Sequence, residues 1–374
     1  MKLLHTSDWH LGKKIERKQQ NDDQALVLSE LYDVAVRESV DVVVVAGDVF
    51  DTAVPPADAE ELFYDTAVKF AEKFIFIVIA GNHDDAVRLC AARALAKKHG
   101  MVLCGDRDNS AFTFGNITGG DGFVTVEKNG EKLNLALLPY PYEGSLPSGE
   151  APYAEKVEGA IKECCKCFKA GEYNAFVSHL FMTGSENEES TLGGAKLIPV
   201  SALPDCDYVA LGHIHKCMKV KDNAWYSGSL LPYHFDDKGE KGVNVVEFGE
   251  KTTVKTVPLT RYKKMVRLVV TSFDEAIEKL AACSDKAEVV YKSSQPLDAR
   301  MMTEMKKYPS FIKLTVQPEK GEDGEEYVRR NLSPAELFTA YYKQRKGEEP
   351  TSEMVELFTR ALSGDDFTGE VDEL

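Results

Sequence analysis

Five short motifs contain side chains that bind divalent metal ions. They are Asp8-x-His10, Gly47-Asp48, Gly81-Asn82-His83-Asp84, Ser178-His179 and Gly212-His213-x-His215. Asp8 and His10 are two positions apart, so in an extended segment both side chains lie on one side and reach one cation. Each motif alone would also fit an ordinary surface turn. Together they predict seven metal ligands: Asp8, His10, Asp48, Asn82, His179, His213 and His215.

These ligands divide into two sets that share Asp48. One cation would be bound by Asp8, His10, Asp48 and His215, and the other by Asp48, Asn82, His179 and His213. Two divalent ions exceed the charge of two aspartates, and the positive surplus suits a phosphodiester. Mixed imidazole and carboxylate ligation favours Mn²⁺, Fe or Zn²⁺ over Mg²⁺ or Ca²⁺. Such a pair of metals activates water and stabilises an in-line displacement at phosphorus.

His83 is a histidine beside the ligands that the two sets do not use. Because it adjoins Asn82, we predict that it protonates the leaving oxygen or stabilises the pentacovalent phosphorus. Asp84 follows it and is predicted to orient or charge the ring. The alternative is that His83 lies near the metals without a chemical role. His5, His99 and His234 are interpreted as structural.

Strands must place these motifs, and each motif follows an apolar run. The runs are 2–6, 41–46, 74–79, 175–177 and 208–211, with helical patterns over 22–39, 58–72 and 153–169. Four consecutive valines at 42–45 are stiff, β-branched residues that suit a strand buried on both faces. Open α/β sheets hold their active sites at the carboxyl ends of their strands. The pattern therefore predicts one site assembled from several strand ends.

The second half of the chain predicts further domains. A charged stretch at 249–265 precedes a β-α-β-α-β pattern, which predicts a first domain over 1–260 and a small two-layer domain over 261–318. Residues 319–332 read as a linker, 333–362 as two amphipathic helices and 363–374 as an acidic tail. The helices carry four large apolar residues that form a docking surface for a partner or pack on their own domain. These are Leu337, Phe338, Tyr341 and Tyr342.

Composition excludes several classes of protein. A net charge of −16 over 374 residues argues against a protein that passively coats DNA. Phosphate-loop motifs are absent from the sequence, which argues against an ATPase within this chain. No apolar run reaches the length of a membrane span, and the first residues do not form a signal peptide. We therefore expect a soluble cytoplasmic protein that does not enter a membrane.

The order of the motifs resembles that of the calcineurin-like metallophosphoesterases over about residues 1–240. Segments 6–13, 46–51 and 79–84 resemble, more narrowly, the nuclease subunits of bacterial DNA-processing complexes. The resemblance implies an α/β fold of mixed α+β type. Its four layers are two packed mixed β-sheets flanked by helices, and a small two-layer capping domain and C-terminal helices follow.

The same resemblance implies an activity and partners. It implies a Mn²⁺-dependent nuclease that acts on double-stranded DNA ends and hairpins. The C-terminal helices would dock an SMC-like ATPase, and the capping domain would position DNA over two metal ions. The implied assembly is two-fold, with a homodimer of this chain inside a heterotetramer.

One position departs from the resemblance, and several functions remain open. Archaeal relatives have a second histidine after the Gly-Asp motif where this chain has Asp51, so that histidine's role is not assigned to Asp51. Lys13, Lys14 and Arg17 follow the first motif and are predicted to touch the DNA backbone, although a solvated face is the alternative. A phosphoesterase for small phosphodiesters or phosphoproteins is the second functional hypothesis. A scaffold without catalysis is the third.

Overall fold

A computed structural model of the chain describes residues 1–105, 111–120, 122–183, 197–237, 239–292 and 298–317, with 335, 338–339, 341–343, 348–352, 354–355 and 358. The α-helices are α1 Asn21–Arg37, α2 Ala57–Ala71, α3 Ala86–Leu89, α4 Arg93–Ala96, α5 Tyr153–Cys164, α6 Phe273–Ala282 and α7 Ala299–Met305. The strands are β1 Lys2–Thr6, β2 Lys14–Ile15, β3 Lys18–Gln19, β4 Val42–Ala46, β5 Ile75–Ile79, β6 Met101–Cys104, β7 Phe112–Phe114, β8 Ile117–Gly120, β9 Phe123–Lys128, β10 Glu131–Leu138, β11 Tyr173–His179, β12 Tyr208–Gly212, β13 Met218–Lys221, β14 Ala224–Tyr226, β15 Gly242–Glu247, β16 Thr253–Pro258, β17 Met265–Val270, β18 Lys286–Lys292 and β19 Phe311–Gln317.

Two mixed sheets pack face to face. The first has the order β16-β15-β1-β4-β5-β6, and the second has the order β13-β14-β12-β11-β10-β9-β8-β7. The valines of β4 alternate between two cores, as the period of a strand requires. Val44 packs in the layer between the sheets with Leu135 of β10. Val43 packs in the core on the opposite face, which also holds Leu31 of α1 and Phe63 of α2.

The second sheet is covered by a helix on its outer face. Val157 and Ile161 of α5 share a core with Phe176 of β11 and Val209 of β12. The layers therefore run helix, sheet, sheet, helix, and the predicted four-layer mixed fold is confirmed. Strands β1, β4 and β5 are parallel neighbours in the first sheet. Strands β10, β11 and β12 are parallel neighbours in the second sheet.

A third, three-stranded sheet follows in the chain. Its strands β17, β18 and β19 are parallel, and α6 and α7 share a core with it. Ser272 caps the start of α6, because its Oγ atom accepts a hydrogen bond from Glu275 N at 3.2 Å. Contacts place this sheet in one compact unit, Met1–Gln317. Its boundary at 260 and its role as a capping domain remain predictions.

The second compact unit is Pro318–Leu374. The predicted linker 319–332, the acidic tail 363–374 and Leu337 lie outside the described residues. Phe338 stacks on Phe358 with ring centroids 4.4 Å apart, while the Tyr341 side chain is exposed. Among the residues that the structure describes, every helix is too short or too polar to cross a membrane.

Candidate metal centre

The motif loops hold their side chains with unusual backbone geometry. Asp8, His10, Asp48 and His213 have positive φ angles of 52°, 45°, 50° and 108°. Non-glycine residues rarely adopt this conformation, and it clusters at functional sites where surrounding contacts enforce it. The loops also support one another, since Asp8 N donates to Gly47 O and His10 N donates to Asp48 O, both at 3.0 Å.

The first group of side chains contains Asp8, His10 and His215. One ligand atom of each lies within 4.8 Å of the other two. His10 Nε2 and His215 Nε2 are 3.0 Å apart. Strands β1 and β12 position this group, because Asp8 and His10 follow β1 and His215 follows β12.

The second group contains Asp48, Asn82, His179 and His213. His179 Nε2 lies 3.4 Å from Asp48 Oδ2 and 3.0 Å from Asn82 Oδ1. His213 Nδ1 lies 2.9 Å from Asn82 Oδ1. The structure therefore brings all seven predicted side chains close together, and their division between two cations remains a prediction.

Asp48 lies where the two groups meet. Its Oδ2 atom is 3.6 Å from His10 Nε2 in the first group and 3.4 Å from His179 Nε2 in the second. Its Oδ1 atom accepts a hydrogen bond from His83 N at 2.9 Å. The carboxylate is only 2% exposed, so water cannot stabilise its charge.

The hydrogen bond behind His179 tests whether this ring can bind a metal. Its Nδ1 atom lies 2.8 Å from Ala46 O. A carbonyl oxygen only accepts, so Nδ1 carries the hydrogen and the electron pair of Nε2 can face Asp48 and Asn82. Such a bond behind the ring is characteristic of metal-binding histidines.

The electrostatics of the buried groups also fit cations. Burial raises the pKa of Asp8. Burial would raise the pKa of Asp48 as well, but His179 and His10 hold it well below its usual range. His179 has a pKa raised to about 9, because Asp48 and Asp8 outweigh its burial. Burial and the charge of His179 lower the pKa of His213 to about 3. Two buried carboxylates beside several imidazoles form a set of ligand atoms that a divalent cation would stabilise.

His83 lies at the exposed side of the cluster. Its side chain is 41% exposed, and its Nε2 atom is 4.0 Å from Asp48 Oδ2. Its Nδ1 atom is 2.8 Å from the carbonyl oxygen of Asp51, so Nδ1 donates and Nε2 faces the centre. The ring is available to solvent and substrate, unlike the buried imidazoles.

Within the described residues, the Asp84 carboxylate forms no hydrogen bond with the His83 ring. The prediction that Asp84 orients this ring is therefore wrong. Its Oδ2 atom accepts from Gly81 N at 2.8 Å and Val49 N at 3.1 Å, and its Oδ1 atom accepts from Phe50 N at 2.9 Å. The carboxylate therefore ties the Asp48 loop to the Asn82 loop. Burial and the nearby Asp48 charge raise its pKa to about 6. The Asp51 carbonyl orients His83 instead.

Asp51 and the basic residues after the first motif have distinct surroundings. Asp51 Oδ1 is 2.6 Å from Lys13 Nζ and 3.5 Å from His10 Nδ1. Burial raises the pKa of Asp51, but His10 and Lys13 lower it by more than burial raises it, so that the pKa falls to about 2. Lys13 is thus held in an ion pair at the centre, whereas Lys14 and Arg17 are exposed on the β2–β3 hairpin.

Two buried side chains that hold the ligand loops were not among the predicted site residues. Gln24 Nε2 donates to His10 O at 2.7 Å. Lys241 Nζ donates to His215 O at 3.0 Å and to Ser229 Oγ at 2.9 Å. Gln24 had a signal, because it is a polar residue on the apolar face of α1. Lys241 had none, since its partners are distant in the sequence.

Comparisons with known proteins identify the family of this chain. The calcineurin-like phosphoesterase family matches residues 1–217. The SbcD subunit of the nuclease SbcCD from Bacillus subtilis is 32% identical over 394 residues, covering 97% of this chain and 98% of that protein. The Staphylococcus saprophyticus protein of the same name is 28% identical and covers 85% of each chain.

A solved dimetal phosphatase from Danio rerio has a TM-score of 0.39 and 15% identity, covering 70% of this chain and 99% of that one. The family match shows that the chain is a hydrolase and supports the use of divalent metals, for which the cluster offers candidate ligands. The chain belongs to the calcineurin-like phosphoesterases and, within them, to the SbcD subunits of SbcCD nucleases.

Proposed function

We propose that this chain is a Mn²⁺-dependent DNA nuclease subunit. It would act as a double-strand exonuclease and as an endonuclease on hairpins, in DNA end processing, repair and recombination. The observation that carries the proposal is the position of Asp48, within 3.6 Å of imidazole nitrogens from both groups. The side chains of the two groups would hold two divalent cations, and Asp48 would contribute to both sites.

The side chains of the centre have separate roles in the proposed reaction. Asp8 and Asp48 supply the negative charge that holds the cations, while Asn82 and the four histidines add neutral ligands. When bound, two divalent cations would activate a water molecule and stabilise charge on the phosphate oxygens. His10, His179, His213 and His215 keep a positive surplus for the phosphodiester, because they ligate without neutralising the metals.

His83 is the proposed general acid. Its Nδ1 atom donates to the Asp51 carbonyl oxygen, so a second proton on the ring resides on Nε2, which faces the centre. From there it can pass to the leaving oxygen of the cleaved strand. Asp84 is a positioning residue, because its carboxylate binds backbone N–H groups of both the Asp48 loop and the Asn82 loop.

The names of the relatives support the proposed ATPase partner, and the second unit contains the residues proposed to dock it. The relatives are named as the SbcD subunit of SbcCD, which supports a complex with an SbcC-type SMC-like ATPase. We propose that Phe338, Tyr341, Tyr342 and Leu337 contribute to that docking surface, in a heterotetramer built on a homodimer of this chain. We place the complex in the cytoplasm.

Basic side chains near the centre would contact the DNA backbone. Lys14 and Arg17 are exposed on the β2–β3 hairpin and are the stronger candidates. Lys13 is a weaker one, because Asp51 already binds its ammonium group. The third sheet, β17–β19, would serve as the capping domain that positions the duplex.

A phosphoesterase for small substrates is the alternative function. The comparisons do not favour it, since the Bacillus subtilis nuclease subunit aligns over 97% of this chain.

Cleavage of DNA by the purified chain tests the proposal. Wild-type protein with Mn²⁺ should degrade linear duplex and open hairpins, with or without the ATPase partner. His83→Ala should lower kcat by about 10²- to 10⁴-fold while two Mn²⁺ ions still bind. His99→Ala is the matched control, because His99 is exposed in the 3₁₀ turn Lys97–His99. If the wild-type protein cleaves neither linear duplex nor hairpins, whether or not the ATPase partner is present, the proposed function is refuted.

A further inference from the structure

An exposed but firmly held tyrosine lies beside the metal centre. Tyr142 follows β10 and is 44% exposed. Its hydroxyl donates a hydrogen bond to Asn82 O at 2.7 Å. Its ring meets Tyr140 edge to face, with centroids 4.9 Å apart and an angle of 74°. An aromatic ring fixed at both its edge and its hydroxyl loses little further freedom when a flat ligand packs on it.

Tyr142 is directly linked to the ligands. The carbonyl oxygen of Asn82 accepts the hydrogen bond from the Tyr142 hydroxyl. The side-chain oxygen of the same Asn82 lies 3.0 Å from His179 Nε2. Tyr140, which supports the Tyr142 ring, lies nearly parallel to His213 with centroids 6.5 Å apart. The backbone of this loop is also tied to the site, since Tyr140 N donates to Ala80 O at 2.9 Å. The Tyr142 ring therefore lies on a loop that borders the candidate metal centre.

The proposed function determines what reaches this ring. A nucleotide chain joins each phosphate to bases on either side, so a scissile phosphate at the centre brings a base towards its immediate neighbours. Bases stack on exposed aromatic side chains whatever their sequence, because every base has a π face. A base inside a duplex is covered on both faces by its neighbours. An unpaired base in a hairpin loop or at a frayed end is free to stack on protein.

We propose that Tyr142 is a stacking platform for the unpaired nucleobase next to the scissile phosphate. This inference rests on the proposed nuclease function and adds a determinant of its substrate preference. It makes Tyr142 a binding residue that favours hairpin loops and frayed ends over intact internal duplex. No bond forms or breaks at the ring, and the hydroxyl serves to hold the ring in place.

A purely structural role for Tyr142 makes different predictions. If its hydroxyl only supported Asn82, then Tyr142→Phe would be as damaging as Tyr142→Ala, and substrates with and without a base would suffer equally. If the ring stacks on a base, Tyr142→Phe retains the effect and Tyr142→Ala loses it only for substrates that have a base. Phe114→Ala is the matched control, because Phe114 is also an exposed aromatic residue but lies in β7 at the edge of the second sheet.

Two small phosphodiesters measure the contribution of the base. Thymidine 5′-(p-nitrophenyl phosphate) and methyl p-nitrophenyl phosphate share a leaving group, and only the first has a nucleobase. With Mn²⁺, Tyr142→Ala should raise KM for the thymidine ester about 5- to 10-fold more than KM for the methyl ester. Tyr142→Phe should keep most of the wild-type ratio of the two KM values, because its ring still packs edge to face with Tyr140, and Phe114→Ala should keep all of it. An unchanged ratio in Tyr142→Ala overturns the proposal.

A binding measurement separates this proposal from the proposed function. In a His83→Ala background with Mn²⁺, the full chain should quench the fluorescence of 2-aminopurine at the unpaired end of an oligonucleotide. Adding Tyr142→Ala should abolish the quenching, and adding Phe114→Ala should not. Quenching that survives Tyr142→Ala, or no quenching with Tyr142 present, overturns the stacking site whether or not the wild-type protein cuts DNA. If quenching depends on Tyr142 but the wild-type protein cuts no DNA, the stacking site stands and only the nuclease function is refuted.

Discussion

Gly212→Ala should damage the metal centre through the packing of two strand ends. Gly212 ends β12, against the end of β4 in the other sheet. A Cβ atom there would lie 1.9 Å from Ala46 O and 2.7 Å from His179 Nδ1, whereas real Cβ contacts below 3.0 Å essentially never occur. The Ala46 carbonyl must therefore move by more than about 1 Å, and it is the group that accepts the His179 hydrogen bond.

The size of the effect can be estimated from these contacts. Overpacking a rigid core costs about 1–3 kcal/mol. Loss of the 2.8 Å bond from His179 Nδ1 to Ala46 O adds about 1 kcal/mol. The free energy of unfolding should fall by about 3 kcal/mol, which lowers Tm by about 6 °C in a unit of this size. Moving His179 by about 1 Å should lower activity about 100-fold.

Calorimetry provides the assay, with unfolding scans for Tm and Mn²⁺ titrations for affinity. Gly159→Ala is the control, because Gly159 lies in α5 and an added Cβ would have no neighbour within 4 Å. Helix propensity predicts that this control is stabilised by up to about 1 kcal/mol. A Gly212→Ala protein with wild-type Tm and Mn²⁺ affinity would show that the β4 and β12 ends do not position His179.

Three further changes test other contacts. Burial lowers the pKa of His5 from 6.5 to about 3, so below pH 6.5 only the unfolded chain takes up a proton there. In urea unfolding, the wild-type protein should lose about 2 kcal/mol more stability than His5→Asn when the pH falls from 7.5 to 5. Equal losses in the two proteins would contradict the burial of His5. Glu30→Gln should lower the free energy of unfolding by about 1–3 kcal/mol, because the carboxylate accepts hydrogen bonds from three donor groups of residues 260–261. An unchanged urea midpoint would argue against these bonds. Lys241→Met should weaken Mn²⁺ binding about 10- to 100-fold in titrations by releasing the His215 carbonyl, and wild-type affinity would show that Lys241 is dispensable.

The ligand positions were predictable because each follows a strand with a strong local signal. The valines of β4 and the apolar run of β5 mark buried strands, and the residues directly after them enter the centre. Helix ends were also predictable where caps were present, as at Ser272. The four strands β6 to β9 were not predicted. Three of them form antiparallel pairs at the edge of the second sheet, where short and partly exposed segments leave a weak pattern.

The contacts that connect the ligand loops were less predictable. Asp84 is adjacent to His83 in the sequence, which favoured a direct contact, but three backbone N–H groups from two loops bind its carboxylate. A buried charge is stabilised by whichever donors the fold brings near it, and sequence spacing does not reveal them. The position of Tyr142 against Asn82 has the same origin, since it depends on the meeting of loops from two sheets.

We propose that strand ends from two sheets hold two metal ions on either side of Asp48. Anomalous diffraction from crystals of the full chain soaked in Mn²⁺ tests it most directly. We expect two peaks about 3.5–4 Å apart with the Asp48 carboxylate between them, one beside His10 and His215 and the other beside His179 and His213. A single peak, or peaks away from Asp48, would contradict the account.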